Sequence, residues 1–233
     1  MAKKVSQIIE EQIQFWRLKN DRSAIVHSPL KKLPIITVSR EFGAKGAVLA
    51  TVLGDKLGFK VWDKDLLEII SKKLGSNNEY MQSIDENRRT MLEDTIFGFM
   101  RHKGTNLNYF IYLVKAIRKI EDIGNSIIVG RGANFICKQK NSFHIRIVSP
   151  LVQRVEDYAK KEGISKKKSR SIILQKDAER ATFTKQNFNQ DIDIASNYDL
   201  VINSASFPLE TIAEIVNTAY ACKIMSREKV LTK

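Results

Sequence analysis

Residues 34 to 63 constrain this chain more than any other stretch: P-I-I-T-V-S-R-E-F-G-A-K-G-A-V-L-A-T-V-L-G-D-K-L-G-F-K-V-W-D. Pro34 sets off the short, β-branched run Ile35-Ile36-Thr37-Val38, which reads as a buried strand. Ser39 to Gly46 follows with two glycines and a lysine; Ala47 to Leu57 then carries apolar residues at 49, 50, 53 and 57, the spacing of one helix face. Gly58 ends that helix, and Phe59-Lys60-Val61-Trp62 reads as a second strand. Strand, glycine loop, helix and strand form a βαβ unit. Unpaired amides and the positive end of the helix dipole at the loop suit a phosphate group. On spacing alone two readings stay open, a phosphate-binding loop and an ordinary tight turn. A Walker A loop reads G-x-x-x-x-G-K-[ST], whereas here Glu41 stands five residues before Gly46, Lys45 comes before the second glycine, and Ala47-Val48 follows it.

The remaining chain continues the alternation. Val5, Ile8, Ile9, Ile13 and Trp16 lie at helical spacing, predicting an amphipathic N-terminal helix that either packs back on the main body or forms a homodimer contact. Ser28-Pro29 and Lys31-Lys32-Leu33-Pro34 make a linker, so residues 1–33 read as an extension, 34–224 as the main domain and 225–233 as a loose tail. Asp63 to Leu74 predicts a helix ended by Gly75, with Asp63 at the position of an N-cap. Residues 77–124 hold no strand pattern but two helical runs, one from Met81 to Phe99 and one from Leu107 to Ile120. Arg88, Arg89, Arg101 and His102 on this insert either reach a ligand or belong to solvated helix faces. Ser126–Val129, Phe143–Val148 and Tyr198–Asn203 read as further strands, the continuous apolar ones suiting a parallel sheet covered on both faces. Ser149-Pro150 predicts a serine-capped helix start carrying Arg154, ended by Gly163. Ser165 opens a basic helix with Asp177, Arg180 and Lys185, and Pro208 opens the last helix. Five strands alternating with helices predict a doubly wound, mostly parallel sheet.

Composition narrows the function classes. A length of 233 residues fits one α/β domain with a short extension. Cys137 and Cys222 lie far apart, with no Cys-x-x-Cys or His-rich pattern, so neither a zinc site nor a disulfide framework is expected and a reducing cytoplasm is the expected compartment. No apolar stretch approaches the roughly 20 residues that span a bilayer, so no membrane association is expected. The net charge of +13 invites a nucleic-acid reading, but the lysines are scattered. Their densest cluster is Lys160-Lys161 with Lys166-Lys167-Lys168 and Arg170, and no nucleic-acid-binding signature accompanies it. A basic surface equally suits ligands that carry several phosphates.

The S-R-E-F-G-A-K-G loop closely resembles the S-R-E-Y-G-S-G-G loop of the cytidylate kinase-like family, relatives of the nucleoside monophosphate kinases. Phe59 to Leu67 is similar to that family's F-x-F-Y-D-K-E-L-I segment, and Ile127 to Asn134 to its V-I-V-G-R-G-A segment. Asp177-Ala178-Glu179-Arg180 with Phe183 and Lys185, then Asn197 to Asn203, resemble its lid and last strand. The resemblance covers roughly residues 35 to 221 and implies a three-layer P-loop kinase-like fold with an acceptor-side helical insert at 77–124 and a lid at 165–190.

It also implies ATP-dependent phosphoryl transfer, with Mg²⁺ bridging the ATP phosphates, to a nucleoside monophosphate such as CMP or dCMP. The amides of Gly43, Ala44, Lys45, Gly46 and Ala47 would serve the donor phosphates, and Lys45 would supply the charge of a Walker lysine. Arg131 stands where the family holds the acceptor phosphate, although Gly132 replaces the family's aspartate, and Arg180 and Lys185 belong to the lid. Arg40 fits a phosphate contact or an ion pair with Glu41; Asp63 fits an N-cap, the acceptor, or magnesium reached through water, with no direct protein ligand to the metal expected. Structural roles compete: Arg131 as an ion-pair residue, Arg180 as part of a solvated face. A second lid arginine is replaced by Thr182, so nucleotide binding with weak or no turnover is the alternative, and nucleic-acid binding a third.

Overall fold

A computed structural model describes residues 32–63, 107–138, 140 and 142–231. Strand β1 (Ile35–Arg40) leads into helix α1 (Gly46–Leu57) and β2 (Lys60–Trp62); α2 (Leu107–Ile123), β3 (Ser126–Val129) and the short α3 (Ala133–Ile136) follow. Next come β4 (Ser142–Val148), α4 (Leu151–Glu162), α5 (Lys166–Phe188), a single 3₁₀ turn (Ala195–Asn197), β5 (Leu200–Asn203) and α6 (Leu209–Leu231). The expected helix over 1–20, the expected helix after Asp63, the run through Met81–Phe99, and Arg88, Arg89, Arg101 and His102 lie outside the described residues.

The five strands form one sheet in the order β2-β3-β1-β4-β5, and every pairing is parallel. Among the described residues the expected "mostly parallel" sheet is wholly parallel, which places these strand C-termini on one edge. Alternation along β1 divides the core. Ile36 and Val38 join Leu49, Leu53, Phe59, Ile145, Ile212 and Val216 beneath α1 and α6. Ile35 joins Trp62, Leu113, Ile117, Ile128 and Phe188 on the other face, against α2 and α3. Each such buried side chain contributes about 1.5–3 kcal/mol relative to exposure.

That second face turns polar toward the C-terminal edge. Thr37 pairs in register with His144, and Thr37 Oγ1 lies 2.7 Å from His144 Nδ1. Ser39 pairs with Arg146, whose guanidinium donates to Ser39 Oγ at 3.1 Å. All four residues are buried. Their side chains satisfy one another, so the sheet carries polar groups inside without orphaned partners at these positions.

Three sequence expectations change. Ser149 is not the cap of α4: Pro150 holds that position, while the Ser149 amide donates to Glu41 Oε2 at 2.8 Å and its carbonyl accepts from Arg154 Nε at 2.8 Å. Tyr198 precedes β5 rather than starting it, because the 3₁₀ turn ends there. The backbone beyond Ile224, expected as a loose tail, continues α6 to Leu231.

Candidate functional site at the strand C-termini

The bend between β1 and α1 is shaped by backbone geometry and by anchors from two other helices. Gly43 has φ of 86° and Lys45 a φ of 61°, so the chain passes twice through left-handed conformation before α1 begins. Lys45 is the N-cap of α1, yet no side chain caps that helix and its first turn holds no acidic residue. Among the described residues nothing accepts from the amides of Gly43, Lys45, Gly46 or Ala47, whereas the Ala44 amide makes a long bond of 3.3 Å to the Glu41 carbonyl. An uncapped helix start with converging N–H groups attracts an anion. Gly46 has a separate reason to be glycine: a Cβ there would lie 2.7 Å from Arg40 Cβ.

Arg154 underpins the bend. It is buried on α4, donates from Nη1 to the Phe42 carbonyl at 3.0 Å, and pairs with Asp177 Oδ2 of α5 at 2.5 Å. The other Asp177 oxygen accepts from the Phe42 amide at 2.7 Å. The aliphatic stem of Arg154 lies against Gly43.

Beside the bend lies a cavity of about 430 Å³, walled by Ser39, Arg40, Phe42, Gly130, Arg131, Asn134, Lys176 and Arg180, with Phe183 among its other lining residues. Three guanidinium groups meet here. The pKa of Arg40 is held down at about 10, below the ordinary guanidinium range, first by burial, then by the charges of Arg180 and Arg131, with Asp63 pulling the other way. Arg180 is lowered too, chiefly by burial, although Asp177 counters. Arg180 donates to the Arg40 carbonyl at 2.9 Å and stacks 5.5 Å over the Phe42 ring. Gly130, Arg131 and Gly132 take φ of 78°, 58° and 63°, an unbroken left-handed turn at the end of β3. A side chain at Gly130 would collide with the Arg40 guanidinium.

The predicted residues thus fall into groups. Arg40, Arg131 and Arg180 share the cavity wall, and Asp63 is close enough to act on Arg40. Gly43, Ala44, Gly46 and Ala47 form the neighbouring bend, with Ala44 fully buried. Lys45 belongs to the bend by its backbone, but its ammonium lies 3.5 Å from Asp157 on α4 and does not line the cavity. Lys185 is an exposed residue of the last turn of α5, also off the cavity wall. Sequence reasoning missed Lys176, Asn134 and the aromatic rings of Phe42 and Phe183 on that wall, and the roles of Arg154 and Asp177 behind it. Arg154 had left a signal, since it stands three residues after Leu151 and four before Tyr158, the spacing of one helix face. A charged residue on an apolar face implies a buried partner.

Comparison with known proteins bears on the same region. A cytidylate kinase of Methanocaldococcus jannaschii is 30% identical over 99 residues, which span 41% of this chain and 56% of that protein, so the match covers about half of the curated relative's length. The solved structure of an uncharacterized protein from Eubacterium ventriosum superposes with a TM-score of 0.67 at 18% identity, covering 82% of this chain and 99% of that one. A gluconokinase from Sinorhizobium meliloti gives a TM-score of 0.48 at 12% identity, over 87% of this chain and all of that one (100%). The parallel sheet with helices on both faces is a three-layer α/β fold, which the Eubacterium ventriosum protein shares. The profile of the cytidylate kinase-like family matches residues 35–206. Since that match runs from the first residue of β1 to just past β5, it takes in the whole sheet and the loops at its C-terminal edge, and the chain belongs to the cytidylate kinase-like family.

Proposed function

We propose that this protein transfers the γ-phosphoryl group of ATP to a nucleoside monophosphate, with CMP or dCMP as acceptor. An oxygen of the acceptor phosphate attacks the γ-phosphorus, the bond to the β-phosphate oxygen breaks, and ADP and a nucleoside diphosphate leave. One observation carries the reading: three like-charged guanidiniums, Arg40, Arg131 and Arg180, surround one cavity next to the uncapped start of α1. Repulsion of this kind is relieved by a polyanion, and phosphoryl transfer asks mainly for cations and donors placed around its phosphates.

In this reading the amides from Gly43 to Ala47 hold the donor phosphates. Arg131 and Arg40 hold the acceptor phosphate, with Asp63 either on the acceptor or on a magnesium-bound water. Arg180 and Lys185, on α5, act as lid cations, and α5 lying over the transferring group would exclude water from it. In this reading Mg²⁺ would be held chiefly by nucleotide oxygens and water, where it would neutralise phosphate charge.

A coupled assay of ADP release over a panel of nucleoside monophosphates tests the proposal. CMP or dCMP should stimulate ADP release most; absence of stimulation by every acceptor would sink it. The pairing of Lys45 with Asp157 supports a second reading, nucleotide binding with weak or no turnover. There, wild type would bind ATP yet turn over no faster than Lys45→Ala.

A further inference from the structure

We propose that Arg154 and Asp177 are positioning residues: together they clasp the backbone of Phe42, fix the shape of the phosphate bend, and tie α5 to it. This rests on the reading of that bend as the phosphate site.

Both backbone groups of Phe42 are taken by this one ion pair. Its amide donates to Asp177 Oδ1 at 2.7 Å and its carbonyl accepts from Arg154 at 3.0 Å. The two side chains close on each other at 2.5 Å, and Arg154 Nε holds the Ser149 carbonyl at 2.8 Å. Glu41, next in the bend, completes the set: it lies 3.5 Å from Arg154 and accepts from the Ser149 amide. The bend, the entry to α4 and the middle of α5 therefore meet at one guanidinium that is only 5% exposed. Arg154 is buried and Asp177 half-buried, so removing either leaves the other charge without its partner and frees one backbone group of Phe42.

Two consequences follow. Phe42 immediately precedes Gly43, so its plane sets the direction of the amides that follow. Asp177 also lies one helical turn before Arg180 and next to Lys176, so the clasp fixes where the cavity's α5 cations sit relative to the bend. A displacement near 1 Å at such a site is enough to cost about a hundredfold. Because the Asp177 carboxylate is neutralised by Arg154 and reaches the Phe42 amide rather than those of Gly43 to Ala47, it supports the bend instead of competing with a phosphate for it.

The test uses the full chain with Asp177→Ala, Asp177→Asn, Arg154→Ala and the double alanine variant, at temperatures where each is folded by circular dichroism. Calorimetric titration with Mg·ATP should show affinity falling about tenfold to a hundredfold in each alanine variant. The double variant should lose no more than the worse single one. Asp177→Asn, which keeps an acceptor for the Phe42 amide, should fall between wild type and Asp177→Ala. Residues that merely stabilise the fold would lower the melting temperature and leave these affinities alone, which would overturn the proposal; tighter binding in Asp177→Ala would overturn it too. Hydrogen exchange without ligand separates this claim from the functional one. Asp177→Ala should accelerate exchange of the Phe42 and Ala44 amides, the two in this stretch that hold acceptors, while β1 and β4 stay protected. If wild type binds no ATP, the phosphate reading fails, and exchange alone decides the clasp: unchanged rates at Phe42 and Ala44 reject it.

Discussion

Arg131 and Arg180 both repel the Arg40 guanidinium across the cavity at neutral pH, and the fold bears that repulsion. Arg40 shows the sign. Its folded value of about 10 lies below the ordinary guanidinium range, so above about pH 10 the unfolded chain holds the extra proton and this group's contribution improves as pH rises. Below about pH 10 the buried charge is a full penalty. Replacing Arg40 with Gln should therefore raise the melting temperature of the ligand-free protein by a few degrees, on the order of 1 kcal/mol, at pH 7. The gain should shrink once pH passes about 10, while affinity for Mg·ATP or CMP falls. A melting curve series from pH 7 upward checks this, and a lower melting temperature for the variant at pH 7 contradicts it. Gly130→Ala meets two obstacles, a φ of 78° and the Arg40 guanidinium where its Cβ must go. It should weaken mononucleotide binding about tenfold or more by displacing Arg40; unchanged binding by calorimetry would show that Arg40 moves aside freely.

At the scale of elements, capping distinguishes the two helices that flank the site. α5 starts at Ser165, whose hydroxyl accepts from the Lys168 amide at 3.3 Å, whereas α1 starts with no side-chain cap. Ser165→Ala should lower stability by about 1 kcal/mol, seen as a melting shift of roughly 2–4 °C, with nucleotide affinity unchanged. The apolar, β-branched runs of β1 and β3 and the glycine stops of α1 and α4 were legible because they depend on local sequence. The polar half of the sheet was not: His144 and Arg146 interrupt β4 and find their partners on β1, 107 residues away in sequence. Ser149-Pro150 misled for the same reason, since its amide is claimed by Glu41, 108 residues distant. Arg40, Arg131 and Arg180 were legible through the family resemblance. Lys176 and Asn134 were not, because only the packing of α3 and α5 over the strand edge shows that they reach the same cavity.

For the whole molecule, the net charge of +13 and the converging cations describe one preference, for ligands with several negative charges. Among the described residues no helix is long and apolar enough to cross a membrane. A wholly parallel sheet gathers β1, β3 and the loops that follow them at one edge, and α5 brings its own cations across that edge. The most direct measurement is calorimetric titration of CMP and of Mg·ATP into wild type and Arg131→Ala. The account predicts saturable binding of both to wild type, with CMP affinity falling about tenfold to a hundredfold in the variant and ATP affinity changing far less. No binding of either nucleotide, or equal CMP affinity in the two proteins, would contradict it.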